Sequence, residues 1–197
     1  MTNDFIDIHT HRFTGRNTEL RAAGVHPWRA DEPDIASLLV PELFAEAQAV
    51  GETGLDFACD VGRDAQERLF RRHLELAEEL RLPVVIHCVR AFEPTMKILA
   101  EYSLAAVVFH GFIGSPQMAE RAVAEGYYLS FGIATPRSPK TAAALHSMPA
   151  ERIFAETDDS GATIERVYET IAEIRGTDIE DLKRAVKENY ERIFDND

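Results

Sequence analysis

The run Phe5-Ile6-Asp7-Ile8-His9-Thr10-His11 is apolar and β-prone, and it ends in two histidines spaced two apart. Successive side chains on a strand point to opposite faces, so Asp7, His9 and His11 are expected on one side, with two imidazoles converging. Neutral imidazole is the commonest protein ligand for metal ions, and the pair therefore reads as half of a metal site. Other apolar runs supply partners at their ends: His26, Glu52, His87, His110, and Glu156 leading to Asp158. Five of the seven histidines occupy such ends, whereas His73 falls inside a helical pattern and His146 at a helix end. Packing gives no reason to prefer His, Glu and Asp over Ser or Asn at so many strand termini. Four imidazoles and two carboxylates are too many for one tetrahedral zinc and suit two divalent ions that share a carboxylate.

Short apolar strands alternating with amphipathic helices position these residues. After the first strand, strands are expected over Ala22 to His26, Ala49 to Glu52, Pro83 to His87, Ala106 to His110, Tyr127 to Ser130 and Ile153 to Glu156. Helices are expected over Asp64 to Arg81, Phe92 to Tyr102, Pro116 to Glu125, Lys140 to His146, Thr163 to Arg175 and Ile179 to Ile193. This alternation predicts βαβ units and a mainly parallel sheet. An open sheet would gather its site at one switch point behind a Gly-rich turn, and the first strand is followed by neither GxGxxG nor a Walker loop. Polar residues at the ends of many strands fit a TIM-like β/α barrel instead. Seven strands are counted, one fewer than a complete barrel, so an incomplete or distorted barrel is expected.

Length and composition set bounds. No linker, repeat or low-complexity run divides the 197 residues, so one domain over 1–197 is expected. The chain carries 21 basic and 34 acidic side chains, a formal charge of 21 − 34 = −13, without a basic block. That excludes an extended nucleic-acid-binding face and confines any phosphate affinity to a local site or a metal centre. Two cysteines without a CxxC, a start that resembles no signal sequence and the lack of a membrane-length apolar run predict a cytoplasmic protein that does not enter membranes.

The motifs Asp7-Ile8-His9-Thr10-His11, Gly24-Val25-His26-Pro27, Gly51-Glu52-Thr53-Gly54-Leu55-Asp56, Leu82-Pro83-Val84-Val85-Ile86-His87, His110-Gly111-Phe112-Ile113-Gly114 and Glu156-Thr157-Asp158 stand in one order along the chain. In that order, and with a closing stretch from Asn189 to Phe194, the chain resembles the TatD-type metal-dependent hydrolases of the amidohydrolase superfamily. The resemblance implies that His9 and His11 bind one metal ion, that His87 and His110 bind another, that Glu52 bridges the two and that Asp158 completes the shell of the first. It also implies a hydrolase that uses a metal-activated water, with Asp158 as proton acceptor. The ions would be Zn, Mn, Mg, Ni or Fe.

The expected substrate is a phosphoester, either a nucleic-acid end or a nucleotide. Amide, ester or lactone hydrolysis by the same centre is the enzymatic alternative, and a non-catalytic, metal-stabilised interaction module is the other. His26 and Arg90 are read as substrate contacts, Arg90 as the group to grip a phosphate. Asp7 is read either as a hydrogen-bond partner of an imidazole or as a structural pair, and Cys88 as core. Trp28 walls the pocket or caps the barrel rim. The chain departs from longer family members in two places. The connection Arg12 to Ala23 is too short for a further strand and helix, and Asp159-Ser160-Gly161-Ala162-Thr163 leads from Asp158 straight into a helix.

Overall fold

The structure, a computed structural model, describes residues 5–194. Among them are eight strands: β1 (Ile6–Asp7), β2 (Thr18–Glu19), β3 (Ala22–Ala23), β4 (Ala49–Asp56), β5 (Val84–Val89), β6 (Val107–Phe109), β7 (Tyr128–Phe131) and β8 (Ile153–Ala155). Six α-helices accompany them: α1 (Arg63–Leu80), α2 (Phe92–Leu99), α3 (Pro116–Ala124), α4 (Pro139–Ser147), α5 (Ile164–Arg175) and α6 (Ile179–Phe194). The chain divides into two compact units, one of Met1–Leu20 with His110–Asp197, the other of Arg21–Phe109.

In the unit Arg21–Phe109, β3, β4, β5 and β6 lie side by side in that order, and every pairing is parallel. Val84, Val85, Ile86, Val107, Val108 and Phe109 are all buried, as expected of parallel strands covered on both faces. Leu69, Phe70, His73, Leu74 and Ala77 form the buried stripe of α1. Its last turn closes on Arg81 in the left-handed region (φ 55°), with the Leu82 N–H donating to the Ala77 carbonyl. β4 and β5 slip register between Val50 and Thr53, where β4 holds one extra residue in the stretch that contains Glu52. They then approach so closely that a Cβ on Gly54 (φ 141°) would sit 2.1 Å from the His87 carbonyl oxygen, so this position requires glycine.

In the other unit β1 pairs with β2 and β7 with β8, again in parallel. The Ile8 N–H donates to the Ala155 carbonyl, which sets the end of β1 beside β8. Serine N-caps followed by proline start α3 and α4: Ser115 with Pro116, and Ser138 with Pro139. Ile164, Val167, Tyr168, Ile171 and Ala172 form the buried face of α5. The Tyr168 hydroxyl accepts from the Ile6 N–H at 3.2 Å and donates to the Ile6 carbonyl at 3.0 Å, tying α5 to β1. On α6 the wholly buried Asn189 donates to the Ala150 and Ile153 carbonyls, anchoring that helix at the start of β8.

Three expectations change. The strand count is eight, because the connection Arg12 to Ala23 contains the two-residue β2, held by Thr18 N–H to the Phe5 carbonyl and Leu20 N–H to the Asp7 carbonyl. It has no helix of its own. Among the described residues β2 pairs only with β1 and β3 only with β4, and the fold class is the expected α/β barrel type. Strand ends also move: β1 stops before His9 and β6 before His110, while β4 runs on past Glu52 to Asp56 and β5 past His87 to Val89. Finally, α2 ends at Leu99 instead of Tyr102, and short 3-10 turns at Pro27–Arg29, Ile35–Leu38 and Pro41–Phe44 fill a stretch that shows no periodicity in sequence.

Tyr168→Phe removes one hydroxyl and leaves both backbone polar groups of Ile6 without their partner in a buried setting. A loss of about 1–3 kcal/mol is expected, read as a lower urea midpoint at unchanged slope.

Candidate functional site

Within the unit of Met1–Leu20 and His110–Asp197, two strand exits are locked together by backbone. Asp158 donates its N–H to the His9 carbonyl, and the His11 N–H donates to the Asp158 carbonyl, making a parallel bridge opposite Thr10. Asp158 sits at φ 52°, a left-handed conformation that aspartate tolerates and that persists only where surrounding bonds dictate it. Its Oδ1 lies 3.7 Å from His9 Nε2 and 3.3 Å from His11 Nε2. The His9 ring lies edge-on to His11 at 5.0 Å and 4.2 Å from the ring of His110. His110 Nδ1 is 3.6 Å from Glu156 Oε1, and the other Glu156 oxygen accepts from the Ser130 hydroxyl. Burial alone would raise the Glu156 pKa, but His110, His9 and the Ser130 hydroxyl together hold it below the usual carboxylate range.

Asp7 takes the structural role. Its two oxygens accept from the Thr157 backbone N–H at 3.0 Å and the Thr157 hydroxyl at 2.6 Å. Burial pushes its pKa up to about 7 against those bonds. The arrangement fixes the residue between Glu156 and Asp158, and thereby both carboxylates.

In the unit Arg21–Phe109 a second cluster forms. His87 Nδ1 is 3.4 Å from Glu52 Oε2, and His26 Nε2 is 3.7 Å from Glu52 Oε1. On its far side His87 Nε2 meets Asp56 Oδ2 at 3.3 Å, and the same oxygen accepts from the Trp28 indole N–H at 2.7 Å. Partial burial would raise the Asp56 pKa, but the bonds from Trp28 and Ala58 and the neighbouring His87 lower it. Asp56 is thus the residue that orients His87, a role the sequence reading did not give it. His26 caps the turn Pro27–Arg29 by accepting the Trp28 N–H on Nδ1. The backbone before it is pinned by His73, whose Nε2 accepts from the Val25 N–H at 2.9 Å while Nδ1 faces the Leu69 carbonyl at 2.8 Å. Cys88 packs toward Thr95, and burial pushes its thiol up to about 11, so it offers no thiolate at neutral pH. Arg90 is exposed, in a left-handed conformation (φ 52°), with no polar side-chain partner among the described residues.

The donor chemistry fits divalent metal ions. Three sets of side chains, His9 with His11 and Asp158, His110 with Glu156 and Asp158, and His26 with Glu52 and His87, each bring one ligand atom per residue within 4.8 Å of the others. Each set mixes imidazole nitrogen with carboxylate oxygen, and the 3.3–3.7 Å separations around Asp158 match the edge of about 3.3 Å between ligands on one ion bonded at about 2.0–2.1 Å. His26, read from sequence as a substrate contact, shares its set with Glu52 and His87.

Comparison with known proteins adds an independent line. The family model described as TatD related DNase matches residues 10–195. The metal-dependent hydrolase YabD of Bacillus subtilis is 30% identical over 194 residues, covering 88% of this chain and 76% of that protein. The 3'-5' ssDNA/RNA exonuclease TatD of Erwinia amylovora is 30% identical over 200 residues, covering 87% of this chain and 76% of the relative. Among solved structures, the TatD homologue YJJV of Escherichia coli superimposes with a TM-score of 0.85 at 24% identity over the whole of both chains, which gives the fold as that of the TatD-type β/α barrel.

Two expectations follow. Asp56→Asn, which keeps the shape but removes the charge behind His87, should weaken divalent-ion affinity about 10- to 100-fold in equilibrium dialysis. Burial pushes the His73 pKa down to about 4 from 6.5, so the unfolded chain binds a proton at higher pH than the folded one. His73 therefore contributes stability that is complete above pH 6.5 and lost as pH falls toward 4, at up to about 1.4 kcal/mol per pH unit. Urea midpoints measured across that window should fall more steeply for the wild type than for His73→Gln.

Proposed function

The chain belongs to the TatD family of metal-dependent hydrolases, and on that premise we propose that it opens a phosphoester at a nucleic-acid end or in a nucleotide, as a cytoplasmic enzyme of one domain over residues 1–197 with two divalent ions. That it is a hydrolase acting on ester bonds with a metal requirement follows from the family itself. One uninterrupted family match across residues 10–195 supports the single domain. Among the described residues no helix is long and apolar enough to cross a membrane.

The proposed ligands are His9, His11 and Asp158 for one ion and His87 with His110 for another, Glu52 being the shared carboxylate. Ions held there would lower the pKa of a water toward neutrality and draw charge from the phosphoryl oxygen. The residues do the rest. Asp158 takes the proton from the attacking water on its carboxylate and returns it to the departing oxygen. Its backbone bridge to His9 and His11 keeps that carboxylate from swinging away between the two transfers. Glu156 and Asp56 hold the rings of His110 and His87 in place. His26 lies against Glu52 and Trp28, where it can meet a substrate group, and Arg90 is a further substrate contact in this reading.

The observation that carries the proposal is the carboxylate of Asp158 within 3.7 Å of His9 and 3.3 Å of His11 on a locked backbone. Bis(p-nitrophenyl) phosphate should be hydrolysed by protein supplied with Mn, Mg or Zn. A chelator should abolish turnover, and Asp158→Asn should lower kcat about 10²- to 10⁴-fold. Turnover of a lactone, ester or amide panel in place of the phosphodiester would move the reading to those bonds. Retained metal with no turnover of any of them would make the chain a binding module.

A further inference from the structure

Between His11 and β2 the chain runs Arg12-Phe13-Thr14-Gly15-Arg16-Asn17, and Glu19 folds that run into a turn. The Glu19 carboxylate accepts from the backbone N–H groups of Thr14 and Gly15 and from the Thr14 hydroxyl. The turn and the first residues of α5 line one pocket of about 260 Å³, which also reaches Asp158. Among the described residues, neither the Arg12 nor the Arg16 guanidinium has a hydrogen bond or an ion pair. Other arginines of the chain are engaged: Arg29 with Glu32, Arg71 with Glu101, Arg72 with Glu75, Arg166 with Glu169 and Arg184 with Asp181. Two uncommitted guanidiniums lining one concavity are unexpected in a chain with 34 acidic side chains against 21 basic ones.

The carboxylates that line the same pocket are largely spoken for. Glu19 is spent on the turn, Asp7 on Thr157, and Asp158 faces His9 and His11. Glu165, in the first turn of α5, is the remaining one. That turn also brings donors. The Thr163 hydroxyl caps the Arg166 N–H, while the N–H groups of Ile164 and Glu165 belong to the opening turn of the helix and have no carbonyl within it. Guanidinium forks, a carboxamide and outward-facing amides together make a complement for tetrahedral oxyanions.

We propose that this pocket is a phosphate subsite, in which Arg12 and Arg16, assisted by Asn17 and the opening turn of α5, grip a phosphate of the substrate other than the one that is cleaved. Its place beside the reacting end rests on the reading of Asp158 given above; the binding itself does not. Glu165 weakens the grip by like-charge repulsion. The turn lies in the short connection between β1 and β2 and is held by Glu19.

Isothermal titration of inorganic phosphate into the full chain at low salt, as purified and again after chelator treatment, tests the proposal. One site that survives chelation is expected, weakened at least about tenfold by Arg12→Met and by Arg16→Met and tightened by Glu165→Gln, with circular dichroism confirming that each variant is folded. Thymidine 3'-monophosphate and thymidylyl-(3'→5')-thymidine then compete with phosphate, and the stronger competitor identifies a chain end or an internal linkage as the source. Binding that disappears with the metal, that both arginine variants leave unchanged, or that neither nucleotide displaces would overturn the proposal. Turnover of bis(p-nitrophenyl) phosphate without chelation-resistant phosphate binding would sink the subsite alone. Phosphate binding without any turnover would sink the phosphoesterase reading and leave the subsite standing.

Discussion

A histidine serves as a ligand only when its ring is held in one orientation, and in this chain acidic side chains do the holding. His87 is set between Glu52 and Asp56, His110 faces Glu156, and His9 and His11 face Asp158. Each pairing places a carboxylate in or near the interior, where it would be costly without a hydrogen-bonded or charged neighbour. The rest of the local structure supplies those neighbours: Ser130 for Glu156, Trp28 and Ala58 for Asp56, Thr157 for Asp7. An overall charge of −13 makes this harder, because these pairs contain no lysine or arginine. A divalent cation would relieve that excess, so the same clustering that favours metal binding makes the site dependent on it.

What could be read from the residues was whatever is local. An apolar run that stops at His87 or His110 is visible within six residues, and the stripe Leu69, Phe70, His73, Leu74 and Ala77 announces α1 without any knowledge of its neighbours. What could not be read depends on partners distant in sequence. Thr18-Glu19 looks like a polar loop and becomes a strand only because Phe5 and Asp7 offer it carbonyls. Asp56 follows Glu52 by four residues, yet its work is done on His87 and Trp28, each about thirty residues away. His73 fits the apolar face of a helix, and its bond to Val25 has no signature in the pattern of α1. Nothing in the sequence sets Arg12 and Arg16 apart, because whether a guanidinium has a partner is a property of three-dimensional surroundings.

Backbone geometry adds precision where side chains alone would be loose. Arg90 directly after β5 and Asp158 three residues beyond β8 adopt left-handed conformations, and Gly54 admits no side chain against His87. Conformations of this kind are uncommon for residues other than glycine and survive only under several simultaneous bonds. Arg90 and Asp158 lie beyond the ends of strands, where the α/β barrel type concentrates its chemistry, while Arg81 uses the same left-handed conformation to end α1 and Gly176 does so for α5.

Trp28 is the one tryptophan of the chain, and its indole N–H is bonded to the carboxylate that backs His87. More than half of its surface is open to solvent. Indole emission responds to the field along the ring and to charge on its hydrogen-bond acceptor. The protein therefore carries an intrinsic optical gauge at one of its donor clusters, and any cation that settles on His87 and polarises Asp56 would write its arrival into the emission of a single, unambiguous chromophore.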